Sequence, residues 1–542
     1  MQSSVGKVGV PAAVAAEEEP QEAPSAGAPD SLPSASAYRR QFWFFAVLNG
    51  LLWGLVFAFC LKNCRLDTIE QYFVGQEWVF GSTKHPALTA TLLDIVSRLT
   101  FRADFAHVLL TRLCVLVSLW AIWRAARELV SEGLALLAAV AMFNYWFFQY
   151  ESINYNNNVT LNMAWSCTFL FTLLAYKTNR MRYWLLAGVT TGAGLYFKYT
   201  MILMPIVTVL FMLVDRDARK LWRRPGPWVT TGTALLIFLP LALWVARNDY
   251  VTLGYATRHA TSNSWSGYLL CPLRFLVDQL PFFLPIILPL IPVCGWLGKW
   301  DSSRVGRTLE SRFLLFMLLG PLLLQLLISS MDRAWLRGAL GCHLWLFFTI
   351  LLLHVLKVDE SRRNLRRGLF CSFAITLVFM MGAVAGTEAG PWLKHRASRY
   401  HFPGKALAIE VEKRWHAEHA DRLPWVAGSW WHAGNVSAYG EDRARVHADV
   451  SPNGFFDAGR TISTWSTTSN VNREGGMIVW LIPDDAGNDY CPPNLKELFP
   501  KVILQEPLEL PCQTRAPVPA VRVGIGLLEP ETLTEPAKTP GP

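Results

Sequence analysis

Asp67 and Glu70 stand three residues apart just beyond an apolar run, and Lys84, His85 and Pro86 follow in the same segment, 62–104. A carboxylate can take the proton of an attacking hydroxyl, and lysine or histidine can hold the charge that develops on an anionic leaving group. A second polar cluster, YESINYNNNVT at 150–160, supplies Tyr155, Asn156 and Asn158, and Lys198 stands alone in the apolar stretch LYFKYT. One reading makes Asp67 and Glu70 first-turn acids of an interfacial helix, where they complement its dipole. Three features favour a site. A loop of about 40 residues is long for a connector, both clusters emerge on one side, and an isolated lysine near membrane depth is costly to keep.

The elements that must position these groups are transmembrane helices. Of 542 residues, 52% are hydrophobic, 17% are charged and 23 are Trp, and the mean hydropathy is +0.26. Such a chain reads as a polytopic α-helical membrane protein. Its net charge of +9 comes from Lys/Arg clusters beside apolar runs, the pattern of topology signals and anionic-lipid contacts, and not of a nucleic-acid surface. Apolar stretches of spanning length lie near 42–61, 105–123, 132–149, 159–176, 227–246, 276–298, 312–329, 339–356 and 368–386, and 183–214 divides into two short spans at Lys198, for eleven expected crossings.

Basic loops such as KTNRMR, DRDARKLWRR and KVDESRRNLRR mark the cytoplasmic side. Residues 1–38, rich in Pro, Ala, Ser and Glu, are then a disordered cytoplasmic tail. Residues 39–386 form the transmembrane domain, with its first outward loop at 62–104, and 387–542 an outward α/β domain. There the strand-like runs PWVAGS, RARVHADV, MIVWLIP, KVILQEPLEL and AVRVGIGLL are interspersed with helical stretches at 404–420 and 493–499. Cys491 and Cys512 both fall in this domain and leave a disulfide open. No Cys or His cluster has zinc-site spacing. The DRD at 215–217 lies in a strongly basic cytoplasmic loop and reads as structural, and the Trp430–Trp431 pair reads as core.

Nucleotide sugars are cytosolic, so an outward-facing transferase needs its sugar delivered on a lipid, and a polyprenyl-phosphate sugar fits. A carboxylate would act as base on the acceptor hydroxyl and cations would hold the leaving phosphate. The segment LDTIEQYFVGQEWVFGSTKHPAL resembles the first outward loop of polyprenyl-phosphate-dependent glycosyltransferases of the GT-C superfamily, in the protein-mannosyltransferase-like branch that includes lipid A aminoarabinose transferases and rhizobial lipopolysaccharide galacturonosyltransferases. Asp67 matches that family's catalytic Asp, His85-Pro86-Ala87-Leu88 its basic-Pro-Pro-Leu element, NYNNNVTLNMAW its second-loop motif, and Lys198 of AGLYFKYT its phosphate-contacting lysine.

The resemblance implies an inverting transferase in a bacterial inner membrane, with the N-terminus cytoplasmic and the C-terminal domain periplasmic. Its donor is a polyprenyl-phosphate-linked sugar and its acceptor an envelope glycolipid or glycan, with lipid A or lipopolysaccharide core foremost. Asp67 and Glu70 are the expected catalytic residues; Lys198, His85, Lys84, Arg258 and Arg333 the phosphate contacts; and Tyr155, Asn156, Asn158 and Trp78 the substrate contacts. Thr68 replaces the family's usual Glu, Ala87 its second Pro, and Asn156, Asn157 or Asn158 its second-loop carboxylate, so no obligatory metal and no other cofactor is expected, although a divalent cation would be compatible. Membrane lipids are the remaining partners, nucleic acid is not one, and the oligomeric state is left open. The alternatives are a lipid-linked-sugar flippase or transporter, a noncatalytic envelope assembly protein, and a protein O-mannosyltransferase-like enzyme.

Overall fold

The computed structural model describes residues 32–101, 105–256, 261–296, 298–301, 303, 305–449 and 463–531. Most of the expected tail therefore lies outside the described residues. The first helix, α1, runs over Ala35–Cys60, 26 residues, which at about 1.5 Å per residue exceeds a hydrocarbon core of about 30 Å. Ser34 caps it through the Ala37 amide, so the helix begins inside the segment expected to be tail.

Two short helices follow, α2 (Leu66–Gly75) and α3 (Leu88–Leu99), then the long α4 (Ala106–Ala126). Helix α5 (Glu132–Ala141) heads a pair of helical segments, Glu132–Asn144 and Trp146–Ile153, bent by 75°. Helices α6 (Asn157–Thr178), α7 (Met181–Phe197) and α8 (Leu203–Val214) complete the first half. The α6 helix is the axis of the bundle. Its Trp165, Phe169, Leu170 and Leu173 are fully enclosed, whereas Leu51, Phe59, Leu236 and Leu269 on peripheral helices are exposed, as expected where lipid and not water covers the surface.

Seven helices among the described residues are long and apolar enough to cross a membrane, or eight with the bent pair. The remaining expected spans appear as shorter helices. The 183–214 stretch breaks at Lys198 into Met181–Phe197 and Tyr199–Val214, and within 339–356 only Phe348–Val355 is α-helical.

The five strand-like runs near the C-terminus are β1 (Trp425–Ser429), β2 (Arg445–Asp449), β3 (Gly476–Leu481), β4 (Ile503–Leu510) and β5 (Val521–Leu528). They form one mixed sheet in the order β2-β1-β3-β5-β4, with β1 parallel to both neighbours and β5 antiparallel to both of its own. Cys491 and Cys512 are both free thiols.

The sheet domain rests on α2 through the helix Trp430–Tyr439. A Cβ at Gly434 would lie 2.7 Å from Ile69, so no larger residue fits this contact without movement. Tyr439 Oη accepts from the Cys64 amide (3.0 Å), and Gln76 Nε2 donates to Ser437 Oγ (3.0 Å). Arg445 forks onto Glu77. Gly75 serves the other side of α2, where a Cβ would come within 2.3 Å of the Ala90 carbonyl oxygen of α3.

Candidate active site

Buried amides are expensive unless hydrogen-bonded, and the asparagines of NYNNN are used to tie α2, α3, α6 and the α7 break together. Asn154 Nδ2 donates to Asp67 Oδ2 (2.8 Å), and its Oδ1 accepts from the buried Thr68 hydroxyl (2.9 Å). The Tyr155 amide donates to the same hydroxyl oxygen (3.0 Å). Asn156 Oδ1 caps α6 by accepting from the Asn158 and Val159 amides. Asn157 Nδ2 donates to the Phe197 carbonyl (2.8 Å) and to Thr89 Oγ1 (3.2 Å), while its Oδ1 accepts from Gln71 Nε2 (3.3 Å). Asn158 Oδ1 accepts from Lys198 Nζ (2.6 Å). Lys198 is extended, φ −162° and ψ 135°, and so ends α7. It is close enough to Asp67 for their charges to interact.

Asp67 is only partly buried, in the first turn of α2. Beside it Arg65 Nη1 contacts Glu151 Oε2 at 3.3 Å. His85 sits on a tight turn in which the Ser82 amide donates to its carbonyl (3.0 Å) and the Ala87 amide to that of Phe80 (3.0 Å). Burial, then the nearby charges of Lys84 and Lys198, hold the His85 imidazole well below its usual range. At neutral pH it is an uncharged hydrogen-bonding group and not a cation.

The structure brings Asp67, Lys198, His85 and Asn158 to one place. Several other expected site residues have structural contacts of their own. Glu70 and Lys84 are both buried and form an ion pair with each other at 2.6 Å, with Lys84 Nζ also 3.9 Å from the Trp430 ring centroid. Burial is the main influence on the Glu70 carboxyl and raises its pKa, with Lys84 opposing. The two neutralise one another, since an unpaired charge at such depth costs several kcal/mol. Tyr155 is fully buried, its hydroxyl donating to the Thr89 carbonyl (2.9 Å), and Asn156 is enclosed as a helix cap. Both are scaffold. Trp78 lies past the far end of α2 from Asp67, at φ 50°, with its indole Nε1 donating to Asp94 Oδ2 (2.8 Å). Arg333 lies over the Tyr268 ring (5.3 Å), its carbonyl accepting from the Ser262 amide, and Arg258 lies outside the described residues. Trp430 and Trp431 pack under the sheet domain as expected of core residues, and Asp215 caps a helix and pairs with Arg312.

Four residues were not singled out by the sequence reading. Asn154 is the direct partner of Asp67. Arg65 and Glu151 pair across 86 positions, which no local pattern signals. His343, fully buried, lies tilted against Trp165 with ring centroids 4.1 Å apart, near Lys198.

Among known proteins, residues 84–244 match the family model described as dolichyl-phosphate-mannose-protein mannosyltransferase. The lipopolysaccharide core galacturonosyltransferase RgtA of Rhizobium johnstonii is 28% identical over 196 residues, an alignment covering 34% of this chain and 38% of that relative. The chain thus aligns with little more than a third of the curated relative's length. In fold, ArnT from Cupriavidus metallidurans bound to undecaprenyl phosphate superposes with a TM-score of 0.59 at 13% identity, covering 93% of this chain and 100% of that one. Its apo form gives the same score and identity over 91% and 98%. Family model, curated relative and solved fold agree on what this multi-pass membrane protein is similar to, membrane glycosyltransferases, and it shares the fold of the ArnT structures.

Proposed function

We propose that the chain is an inverting glycosyltransferase that moves one sugar from a polyprenyl phosphate to an acceptor of the bacterial envelope, with lipid A or lipopolysaccharide core the leading acceptor. The observation that carries this reading is the placement of Asp67 and Lys198 around one asparagine-rich turn, each left out of any ion pair with the other. Each is held by an asparagine of the same turn, Asn154 and Asn158, and they are near enough to act on one bound molecule.

In the reaction the acceptor hydroxyl oxygen attacks the anomeric carbon as the bond from that carbon to the phosphate oxygen breaks. The hydroxyl proton passes to Asp67, and the electron pair of the broken bond leaves on the phosphate. Lys198 meets that growing charge, and the neutral His85 donates a hydrogen bond beside it. Asn154 orients the carboxylate, leaving its other oxygen to accept the proton. Glu70 and Lys84 keep the 80–86 turn seated on α2 and thereby position His85.

The carboxylates near Asp67 are committed to bases, Glu151 to Arg65 and Glu70 to Lys84, a donor set better suited to keeping the loop in place than to binding a dication. Transfer is accordingly expected to persist in a chelator. Orientation follows the same reading, with the Ala35 end of α1 cytoplasmic and the sheet domain periplasmic in the inner membrane. In intact cells a Glu418→Cys variant should react with an impermeant thiol reagent and a Ser36→Cys variant should not. The deciding assay is transfer from a synthetic polyprenyl-phosphate sugar by purified protein in vesicles. Turnover that Asp67→Asn leaves intact sinks the assignment.

A further inference from the structure

At the end of α1 away from Asp67, α1 meets the first turns of the helix Arg362–Lys394 and leaves a cavity of about 600 Å³ between them. One part of its lining is aromatic, with Phe44, Phe45, Phe370 and Phe373, of which Phe44 is 62% and Phe370 74% exposed. The other part carries Arg40, Arg362 and Arg366. None of these three guanidinium groups forms an ion pair or side-chain hydrogen bond among the described residues, although Glu360 lies near. Tyr38 also lines the cavity. It is 5% exposed, and its hydroxyl is buried without a hydrogen-bond partner.

Three cations bordering an apolar cleft at a helix end match a phosphate attached to a hydrocarbon chain. Both helices also begin here, so their positive dipole ends add to the attraction. We propose that this groove is a binding site for one anionic glycerophospholipid of the leaflet at that end. Its phosphate lies among Arg40, Arg362 and Arg366, and one acyl chain lies along Phe44, Phe45, Phe370 and Phe373. Basic pockets between transmembrane helices recognise anionic headgroups in this way. The site is separate from the proposed chemistry, since the helix from Arg40 to Cys60 puts Arg40 about 30 Å from the start of the Asp67 loop.

The test is native mass spectrometry of the full-length protein released from nanodiscs of equal parts phosphatidylglycerol and phosphatidylcholine. A one-to-one phosphatidylglycerol adduct is expected, at least tenfold enriched over phosphatidylcholine. The triple variant Arg40→Gln, Arg362→Gln, Arg366→Gln should lose that enrichment, and the corresponding triple Lys variant should keep most of it, which separates lost charge from lost folding. Equal retention of the two lipids by the wild type, or unchanged enrichment in the Gln variant, overturns the proposal. So does an adduct that appears only when Glu17, Glu18 and Glu19 are all replaced by Gln, because the groove would then belong to the chain's own acidic N-terminal segment.

Discussion

Two carboxylate–lysine sets occupy neighbouring parts of the same loop layer, and they are treated in opposite ways. Glu70 and Lys84 close on each other at 2.6 Å in a buried contact under Trp430. Asp67 and Lys198 do not pair directly, and each instead holds an asparagine, at 2.8 and 2.6 Å. A closed pair cancels its own field and contributes position. An open pair held by neutral amides keeps both charges available to something placed between them. Chemistry should therefore follow the open pair and stability the closed one.

The sharpest test of that contrast is Asp67→Asn, which preserves shape and removes basicity. Turnover in the vesicle assay should fall by about 10² to 10⁴, while expression and thermal unfolding stay near wild type. Breaking the closed pair should do the reverse. Glu70→Gln leaves Lys84 buried and uncompensated, and unfolding in detergent should show a loss of about 3–5 kcal/mol, most of it recovered in the double variant Glu70→Leu, Lys84→Met. If Glu70→Gln instead abolished turnover without lowering stability, the contrast between the two sets would collapse.

Lys198→Ala should weaken binding of free polyprenyl phosphate by the value of one charge-assisted contact, about 1.5–3 kcal/mol. Asn158→Ala, which only releases the lysine, should cost a few-fold. His85 adds a pH dependence. Its folded pKa lies well below the ordinary 6.5 because of burial and then the nearby lysines. Its contribution to stability is therefore complete above the ordinary value and is lost as pH falls from there toward the depressed one, where the unfolded chain binds the extra proton. Melting temperatures at pH 7.5 and 5.5 should differ less in His85→Gln than in wild type. The smallest effect is expected at Asp217, a half-exposed carboxylate paired with Lys220 and Arg312. Asp217→Ala should leave turnover unchanged, and a loss there would revive the DRD segment as a site.

Much of this arrangement was legible in the chain. Long apolar runs must become helices when lipid surrounds them, because every backbone polar group has to be satisfied internally, and α1, α4 and α6 lie close to the stretches expected. The apolar run MIVWLIP became the central strand, buried on both faces, as a short continuous apolar run bounded by Gly and Pro suggests. The break at Lys198 was visible as a lone cation in an apolar stretch. The number of full crossings was less secure. Residues 339–356 have the composition of a span yet are only briefly helical, and 132–149 bends by 75°, because packing against neighbours and not hydropathy decides whether such a stretch stays straight.

By itself, the sequence determined the helix-forming segments, the sheet strands and the short list of charged residues able to do chemistry, since these follow from composition and from periods of a few residues. Only the tertiary structure decided which charges remain available. Glu70 resembles Asp67 in every local respect, but Lys84 arrives from 14 positions away to neutralise it, while Asn154 arrives from 87 positions away to hold Asp67 open. Partners so distant are selected by packing, where the desolvation of each charge is settled, and no pattern along the chain records the result.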